Sequence, residues 1–498
     1  MNRFRIVVNR LPEDVLREIL HIGDGADGDS RWTAIRCGKT RRVYRFTPSE
    51  NDPSWLVKWG YRCFSSWKKI RNILSGNDDA TVEWQKTTRA GECGIPVLEF
   101  DLVAAPNLLA GSFETLLVNR FLGHSRDAAR FIFQNAGNPA LIESFLRNLG
   151  ILIGTMHRKG LLHRDLSFDN LLVSDSAGEE ILVVDWFKSC QVSECEDRLY
   201  RGDLKDPLSD MVRAGLRESQ IRVFLNAYAE QVDWCAGRLD DLLQVGRENR
   251  ISLCKRVYRN CTRESHQVVR YRHGGYRVFQ LKRADPERIR RQIDLQSNAE
   301  DVLIFDTKGS GESQAERWWR TANVLEMAGA TAQGIEAYVI RRRLFRGQEI
   351  LCFHREGDPI PVHFFFNPQS AIHDPQSAIR NPQFTRRDLL SKAGDFLHRL
   401  HVLGIGIRNA DLSRWFCRPV AGGNLLFETS DLDAFILFEC KSYEDRFGWM
   451  AGLDKHNLTT RDLIAFLRGY GNGTVDRALL RQILGFLHEL PRESGRLP

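Results

Sequence analysis

The sequence predicts an α+β protein built from two tandem copies of one fold. Three observations carry this: the length, an internal similarity at one long spacing, and the alternation of strand-like and helix-like apolar patterns. At 498 residues the chain is about three times the ~150 residues of a common domain, so two domains of roughly 250 are the natural division. MHRKGLLHRDLS at 156–167 answers LHVLGIGIRNADLS at 400–413. Each follows helical apolar spacing, through Leu146, Leu149, Ile153 and Met156 in the first and Leu389, Ala393, Phe396, Leu397 and Leu400 in the second. Each precedes a short apolar stretch carrying an acid, ILVVDWF and TSDLDAFILF. Asp165 and Asp185 are 20 residues apart, as are Asp411 and Asp431, and the two sets repeat at 246 residues. The expected domains are therefore 1–250 and 251–498, joined in or beside DDLLQVGRENRISLCKRVYR.

Composition narrows the class. Hydrophobic residues at 42%, with 28 Phe and 11 Trp, supply a core for each half and exclude a disordered chain. The excess of 71 Lys+Arg over 64 Asp+Glu, +7 in all, is too slight for a dedicated nucleic-acid protein, and no nucleic-acid partner is expected. The 11 cysteines are scattered without a C-x-x-C pair or an adjoining His cluster, so neither a disulfide framework nor a zinc site is indicated. The N-terminus has only a short apolar run before an amphipathic helix pattern, and no stretch approaches ~18 uncharged apolar residues. The expected location is the reducing cytoplasm.

In the first half, LLHRDLSFDNLLV followed by ILVVDWF puts His163, Arg164, Asp165 and Asn170 on a loop and Asp185 on the next strand. Phosphoryl transfer from Mg-ATP needs an acid to orient the acceptor hydroxyl, and an amide and a carboxylate to hold Mg²⁺ on the phosphates. H-R-D-x-x-x-x-N with a strand-borne Asp provides all three. Upstream, SWLVKWG alternates as a strand and ends near Lys58, and a helix pattern carries Glu83 25 residues later. That order suits a lysine on the α- and β-phosphates held by a helix glutamate. The predicted hairpin WTAIRC–GKT–RRVYRF precedes the lysine strand and sets Gly38 and Lys39 at its tip, over the phosphates. Gly23, Gly25 and Gly28 spell G-x-G-x-x-G, but they follow a helix pattern and enclose Asp24 and Asp27, which would repel phosphate; they are read as a helix-ending loop.

These residues resemble the bacterial lipopolysaccharide kinases of the Kdo/WaaP type, protein-kinase-like enzymes that phosphorylate core sugars. The likeness rests on V-K-W at Lys58, E-W at Glu83, the G-I-P turn at Gly94, H-R-D-L-S-F-D-N, and V-V-D-W-F where those enzymes carry I-D-F. It covers about 30–220. It implies Lys58 on phosphates, Glu83 as its partner, Asp165 as catalytic acid/base, and Asn170 and Asp185 on Mg²⁺. Phe187 stands where protein kinases have Gly, so no regulatory flip of that strand end is assumed. The fold implied is a pair of tandem protein-kinase-like, bilobal domains, the second degenerate.

In the second half Asp411 keeps the acid position, while Asn409 and Ala410 replace His163 and Arg164 and Phe416 replaces the metal-binding Asn. An aromatic ring cannot ligate Mg²⁺. Asp431 and Asp433 leave one metal ligand in place, and the lysine–glutamate pair is sought in Lys282 and Glu316, with Lys308 competing. A pseudokinase-like domain is expected. Prolines at seven-residue intervals in 367–383 mark an exposed low-complexity insertion. The helical spacing of Leu463, Phe466, Leu467, Leu480, Ile483 and Leu487 is expected to complete a second helical lobe.

The function expected is transfer of the ATP γ-phosphoryl group to a hydroxyl, on a lipopolysaccharide-core or related envelope sugar or glycolipid. The alternatives are a protein Ser/Thr or small-molecule kinase, and a non-catalytic pseudokinase pair with a regulatory or binding role. The mixture of basic and aromatic residues in YRCFSSWKKIRNIL reads as a solvated helix with one buried face, or as a peripheral contact with the inner face of the cytoplasmic membrane.

Overall fold

The computed structural model describes residues 3–22, 29–37, 41–50, 52–60, 67–174, 176–192, 197–235, 237–265, 267–295, 302–307, 312–328, 335–342, 347–353, 360–361, 386–407, 415–420, 424–429, 432–438, 459–471, 475 and 479–483. Gly23, Gly25, Gly28, Gly38, Lys39, Lys308, the repeat at 367–383, Asn409, Ala410, Asp411, Asp431 and the basic–aromatic stretch at 61–66 lie outside them. The chain is a mixed helix-and-sheet, α+β protein of two compact units. Unit 1 comprises Met1–Asp210 and Glu218–Leu243, and unit 2 comprises Met211–Arg217 and Gln244–Pro498. Among the described residues no helix is long and apolar enough to cross a membrane.

Unit 1 opens with β1 (Phe4–Asn9), α1 (Glu13–Leu20), β2 (Trp32–Cys37), β3 (Arg41–Phe46), β4 (Trp55–Gly60), α2 (Trp67–Leu74), α3 (Asp79–Glu92), β5 (Leu102–Pro106) and β6 (Thr115–Arg120). The six strands form one antiparallel sheet in the order β1-β5-β6-β4-β3-β2. Strand alternation sets its two faces. Trp55, Val57 and Trp59 of β4 pack with Val15 and Ile19 of α1 on one side, which turns Lys58 to the other, where Val103 and Leu117 meet Ala80 and half-buried Trp84 of α3. Asp78 starts α3 by accepting from the Ala80 and Thr81 amides at 3.1 and 3.0 Å, a cap that fixes where Glu83 emerges.

The rest of unit 1 contains β7 (Arg126–Asp127), α4 (Ala128–Gln134), α5 (Pro139–Arg158), β8 (Leu161–Leu162), β9 (Leu171–Val173), β10 (Ile181–Val183), β11 (Cys190–Gln191), α6 (Asp197–Arg213), α7 (Glu218–Ala229) and the start of α8 (Leu239–Asn260). The helix α5 is capped by Asn138 with Pro139 in its first turn, and its Gly150 and Gly154 let α7 approach closely. A Cβ at Gly150 would lie 2.4 Å from the Phe224 carbonyl oxygen. Short strand pairs β9–β10 and β8–β11 then pin both ends of the segment that carries the acids.

Unit 2 continues with β12 (Val268–His273), β13 (Tyr276–Leu281), α9 (Pro286–Leu295), β14 (Val302–Thr307), α10 (Gln314–Met327), β15 (Ile335–Arg342), β16 (Gly347–Phe353), β17 (Ile360–Pro361), α11 (Arg386–Val402), β18 (Gly406–Ile407), β19 (Trp415–Val420), β20 (Asn424–Thr429), β21 (Phe435–Ile436) and α12 (Thr460–Tyr470). Its main sheet is antiparallel, in the order β12-β13-β15-β16-β14. The helices α11 and α12 pack through Gly394 and Gly469, where a Cβ would lie 2.1 Å from the Phe466 oxygen and 1.7 Å from the Ser391 oxygen respectively. Leu463, Phe466, Leu467 and Ile483 enter this core, with Leu480 packed against it.

Candidate active site

In unit 1 the sheet, α3 and the β8–β11 segment converge on one group of charges. Lys58 Nζ donates to Glu83 Oε1 at 2.7 Å and lies 3.9 Å from Asp185 Oδ1. Glu83 is fully buried, and its other oxygen faces Arg41 of β3 at 3.7 Å. A buried carboxylate is retained where cations compensate it, and here two cations from adjacent strands do so. Lys58 is thereby aimed across the sheet end toward Asp185.

The acid-bearing loop is set by one residue that sequence reasoning missed. Asp203 of α6 is buried, and its carboxylate accepts from the His163 amide at 2.8 Å, the Arg164 amide at 2.5 Å and His157 Nε2 at 3.1 Å. Burial alone would raise the Asp203 pKa, but the hydrogen bonds from His157 and the two amides outweigh it and hold the carboxyl below the ordinary range. Arg164 adopts a left-handed φ of 63°, a costly conformation for a residue with a side chain. The bond to Asp203 secures it and turns the chain so that Asp165 follows. Asn170 Nδ2 donates to the Asp165 carbonyl oxygen at 2.7 Å, closing the loop around the acid.

Asp185 has a left-handed φ of 65°, which breaks the strand and leaves its carboxylate partly exposed. The residues after it are anchored. Trp186 is buried, donates to the Val183 carbonyl oxygen at 2.9 Å and meets the edge of His163 at 5.0 Å. Lys86 of α3 donates to the Phe187 carbonyl oxygen at 2.7 Å, so Phe187 is tied to the helix that carries Glu83. Burial pushes the Lys86 ammonium below its ordinary pKa. His163 donates through Nε2 to the Val184 carbonyl oxygen at 2.9 Å, and burial lowers its pKa against the pull of Asp203, so it is a neutral structural member rather than a charge in the cleft. Lys188 donates to Asp165 Oδ2 at 2.7 Å.

The structure thus brings together Lys58, Glu83 and Asp185, and separately Asp165 with Asn170. Arg41, Lys86, Lys188 and Asp203 were not singled out from sequence. For a metal, the two candidate ligands are hard oxygen donors. Asn170 commits its NH₂ to Asp165, which leaves the amide oxygen as its ligand atom, and Asp185 offers a carboxylate. Among the described residues no group of three or more His, Cys, Asp or Glu could hold a metal.

Residues 30–228 match the model of the lipopolysaccharide kinase (Kdo/WaaP) family. Over that stretch the chain is similar to the family. Members of the family are kinases, and the chain is a phosphotransferase. No curated protein matches. A solved structure described as WaaP in complex with acyl carrier protein is similar over 49% of this chain and 99% of that one, at 19% identity and a TM-score of 0.34.

In unit 2 the expected residues are not brought together. Lys282 is exposed just past the end of β13, and Glu316 is paired with Arg320 at 2.7 Å. Among the described strands of unit 2, β14 has the pairing and the following helix that the Lys58 strand has in unit 1. It precedes a helix and pairs with β16 of a hairpin, as β4 pairs with β6. Phe305 is the fourth residue of β14, as Lys58 is of β4, and Trp318 is the fifth of α10, as Glu83 is of α3. Their rings meet edge-on at 5.7 Å. At these ranks unit 2 carries an aromatic pair and unit 1 an ion pair.

Proposed function

We propose that unit 1 transfers the γ-phosphoryl group of Mg-ATP to a hydroxyl of a lipopolysaccharide-core or related envelope sugar, and that unit 2 is a degenerate copy of the same protein-kinase-like fold. The observation that carries the first part is the Lys58–Glu83 pair with Lys58 3.9 Å from Asp185, and Asp165 on the adjoining loop. Lys58 would hold the α- and β-phosphates, and Glu83 keeps its ammonium extended toward them. Asn170 and Asp185 would hold Mg²⁺, which when bound would neutralise charge on the transferred phosphate. Asp165 would orient the acceptor hydroxyl and take its proton. Gly38 and Lys39 would cover the phosphates, as the sequence pattern implies. The sugar acceptor rests on the family alone.

The duplication is supported by details that recur in each unit. His157 Nδ1 lies 2.8 Å from the Tyr228 hydroxyl, and His401 Nδ1 lies 2.8 Å from the Tyr470 hydroxyl. Phe224 stacks on Tyr228 at 21°, and Phe466 stacks on Tyr470 at 21°. A two-residue strand pair follows in each, Leu161–Leu162 with Cys190–Gln191 and Gly406–Ile407 with Phe435–Ile436. The degeneracy is supported by the Phe305–Trp318 pair and by the sheet order. Among the described residues β14 is an edge strand, so no hairpin lies beside it as β2–β3 lies beside β4.

The test is Mg-ATP-dependent phosphate transfer by the full chain to a deacylated lipopolysaccharide core, with Asp165→Asn beside it and nucleotide stoichiometry by calorimetry. Transfer lost in the variant and one nucleotide per chain are expected. Transfer to a peptide or small molecule instead would move the acceptor, and two nucleotides per chain would overturn the reading of unit 2.

A further inference from the structure

We propose that Lys188 is a catalytic residue of the unit 1 site that contacts the transferred phosphoryl group in the transition state; this deepens the phosphotransferase reading of that site and rests on it. A phosphoryl group in flight spreads negative charge over three oxygens, and a cation placed where that charge develops is among the largest contributions a protein can make. The loop from Asp165 to Asn170 reads DLSFDN and contains no Lys or Arg. Lys58 is engaged by Glu83 on the far side, beside Asp185. Lys188 Nζ lies 2.7 Å from Asp165 Oδ2, at the carboxylate that orients the acceptor, so a phosphorus passing from nucleotide to acceptor must pass within its reach.

Two further features suit this role. The backbone around Lys188 is anchored: Trp186 and Ser189 on either side are buried, and Lys86 donates to the Phe187 carbonyl oxygen. The ion pair above it is not buried, with 58% of the Lys188 side chain and 38% of the Asp165 side chain exposed. Such a pair is worth little in water, so the ammonium can leave Asp165 for a phosphate at small cost. Its departure also frees Oδ2 to accept the hydroxyl proton. In the step itself the acceptor oxygen bonds to the γ-phosphorus, the bond from that phosphorus to the β,γ-bridging oxygen breaks, ADP leaves with that electron pair, and the acceptor proton passes to Asp165.

The experiment compares the full-length wild type with Lys188→Ala and Lys188→Arg. It measures ADP affinity, affinity for Mg-ADP with aluminium fluoride as a mimic of the phosphoryl in flight, and kcat. For Lys188→Ala the expected result is ADP affinity within about twofold of wild type, with mimic affinity and kcat each lowered by about 10²-fold, and partial recovery in Lys188→Arg. Mimic affinity unchanged in Lys188→Ala would overturn the proposal, as would a parallel loss of ADP affinity, which marks a structural role. If the wild type itself does not bind the mimic, the phosphotransferase reading of unit 1 falls and this inference falls with it. Wild-type binding with an indifferent Lys188→Ala removes the inference alone.

Discussion

Replacing Asp203 with Asn removes one charge and one acceptor from a buried junction. Its carboxylate serves three donors: Oδ2 takes the His163 amide and His157, and Oδ1 takes the Arg164 amide. An amide side chain has a single oxygen, so whichever way it turns, an NH₂ confronts a buried donor. A hydrogen bond to a charged group is worth about 1.5–3 kcal/mol, and stranding a buried N–H costs about 1–3 kcal/mol, so a destabilisation of about 3–4 kcal/mol is expected. Arg164, no longer secured at φ 63°, can relax toward an ordinary conformation and carry Asp165 out of place, which should lower kcat by at least about 100-fold. Urea unfolding followed by tryptophan fluorescence, with phosphate transfer on the same samples, measures both. The pH dependence supplies a third check. A carboxyl whose folded pKa is depressed gives stability that is present above its unfolded pKa of about 3.9 and is lost as pH falls through the folded value. The gap between wild type and variant should therefore be full at neutral pH and narrow below about pH 4. A variant within 1 kcal/mol of wild type with unchanged kcat would refute the assignment of Asp203 as the loop's anchor.

Four further outcomes are expected. Asp165→Asn should lower transfer by about 10²–10⁴-fold while sparing ATP affinity, whereas Asp185→Asn should weaken Mg-ATP binding itself; calorimetry and turnover separate the two. Glu83→Gln takes the charged partner from Lys58, a loss of about 1.5–3 kcal/mol, which should appear as about a 10–100-fold fall in kcat/KM for ATP in steady-state assays. Gly150→Ala should destabilise unit 1 by about 1–3 kcal/mol in chemical denaturation, because its Cβ would meet the Phe224 carbonyl oxygen at 2.4 Å; a neutral or stabilised variant would show that α5 and α7 can separate freely.

The parts of the site that the sequence revealed are those whose chemistry is written locally. H-R-D-x-x-x-x-N and the following Asp sit on contiguous chain, and Lys58 announces itself by strand alternation just before a helix pattern. Asp203 was not legible, because its role depends on bonds to residues about 40 positions earlier and nothing in DRLYRGDLKD marks it. Lys188 was passed over for a related reason, since an exposed lysine acquires meaning only from the carboxylate it faces. In unit 2 the search for a lysine and a glutamate found Lys282 and Glu316, whereas the sheet order puts β14 beside β16 and, on the proposed duplication, points to Phe305 and Trp318. Charge can be searched for along a sequence, but a position that has lost its charge is found only through topology.

Under the proposed duplication, the Phe305–Trp318 contact constrains what unit 2 could become. A route back to a phosphate-gripping cleft would need two substitutions. A lysine at 305 alone would meet an indole, a contact worth about 1 kcal/mol, with no carboxylate to extend it toward a nucleotide. A glutamate at 318 alone would bring a carboxylate near a benzyl ring with no cation to offset its desolvation. Neither intermediate regains nucleotide, so selection has no slope to climb. On the proposed reading of unit 2 as a degenerate copy, the exchange of ions for rings works as a ratchet, leaving unit 2 free to diverge while unit 1 keeps the chemistry.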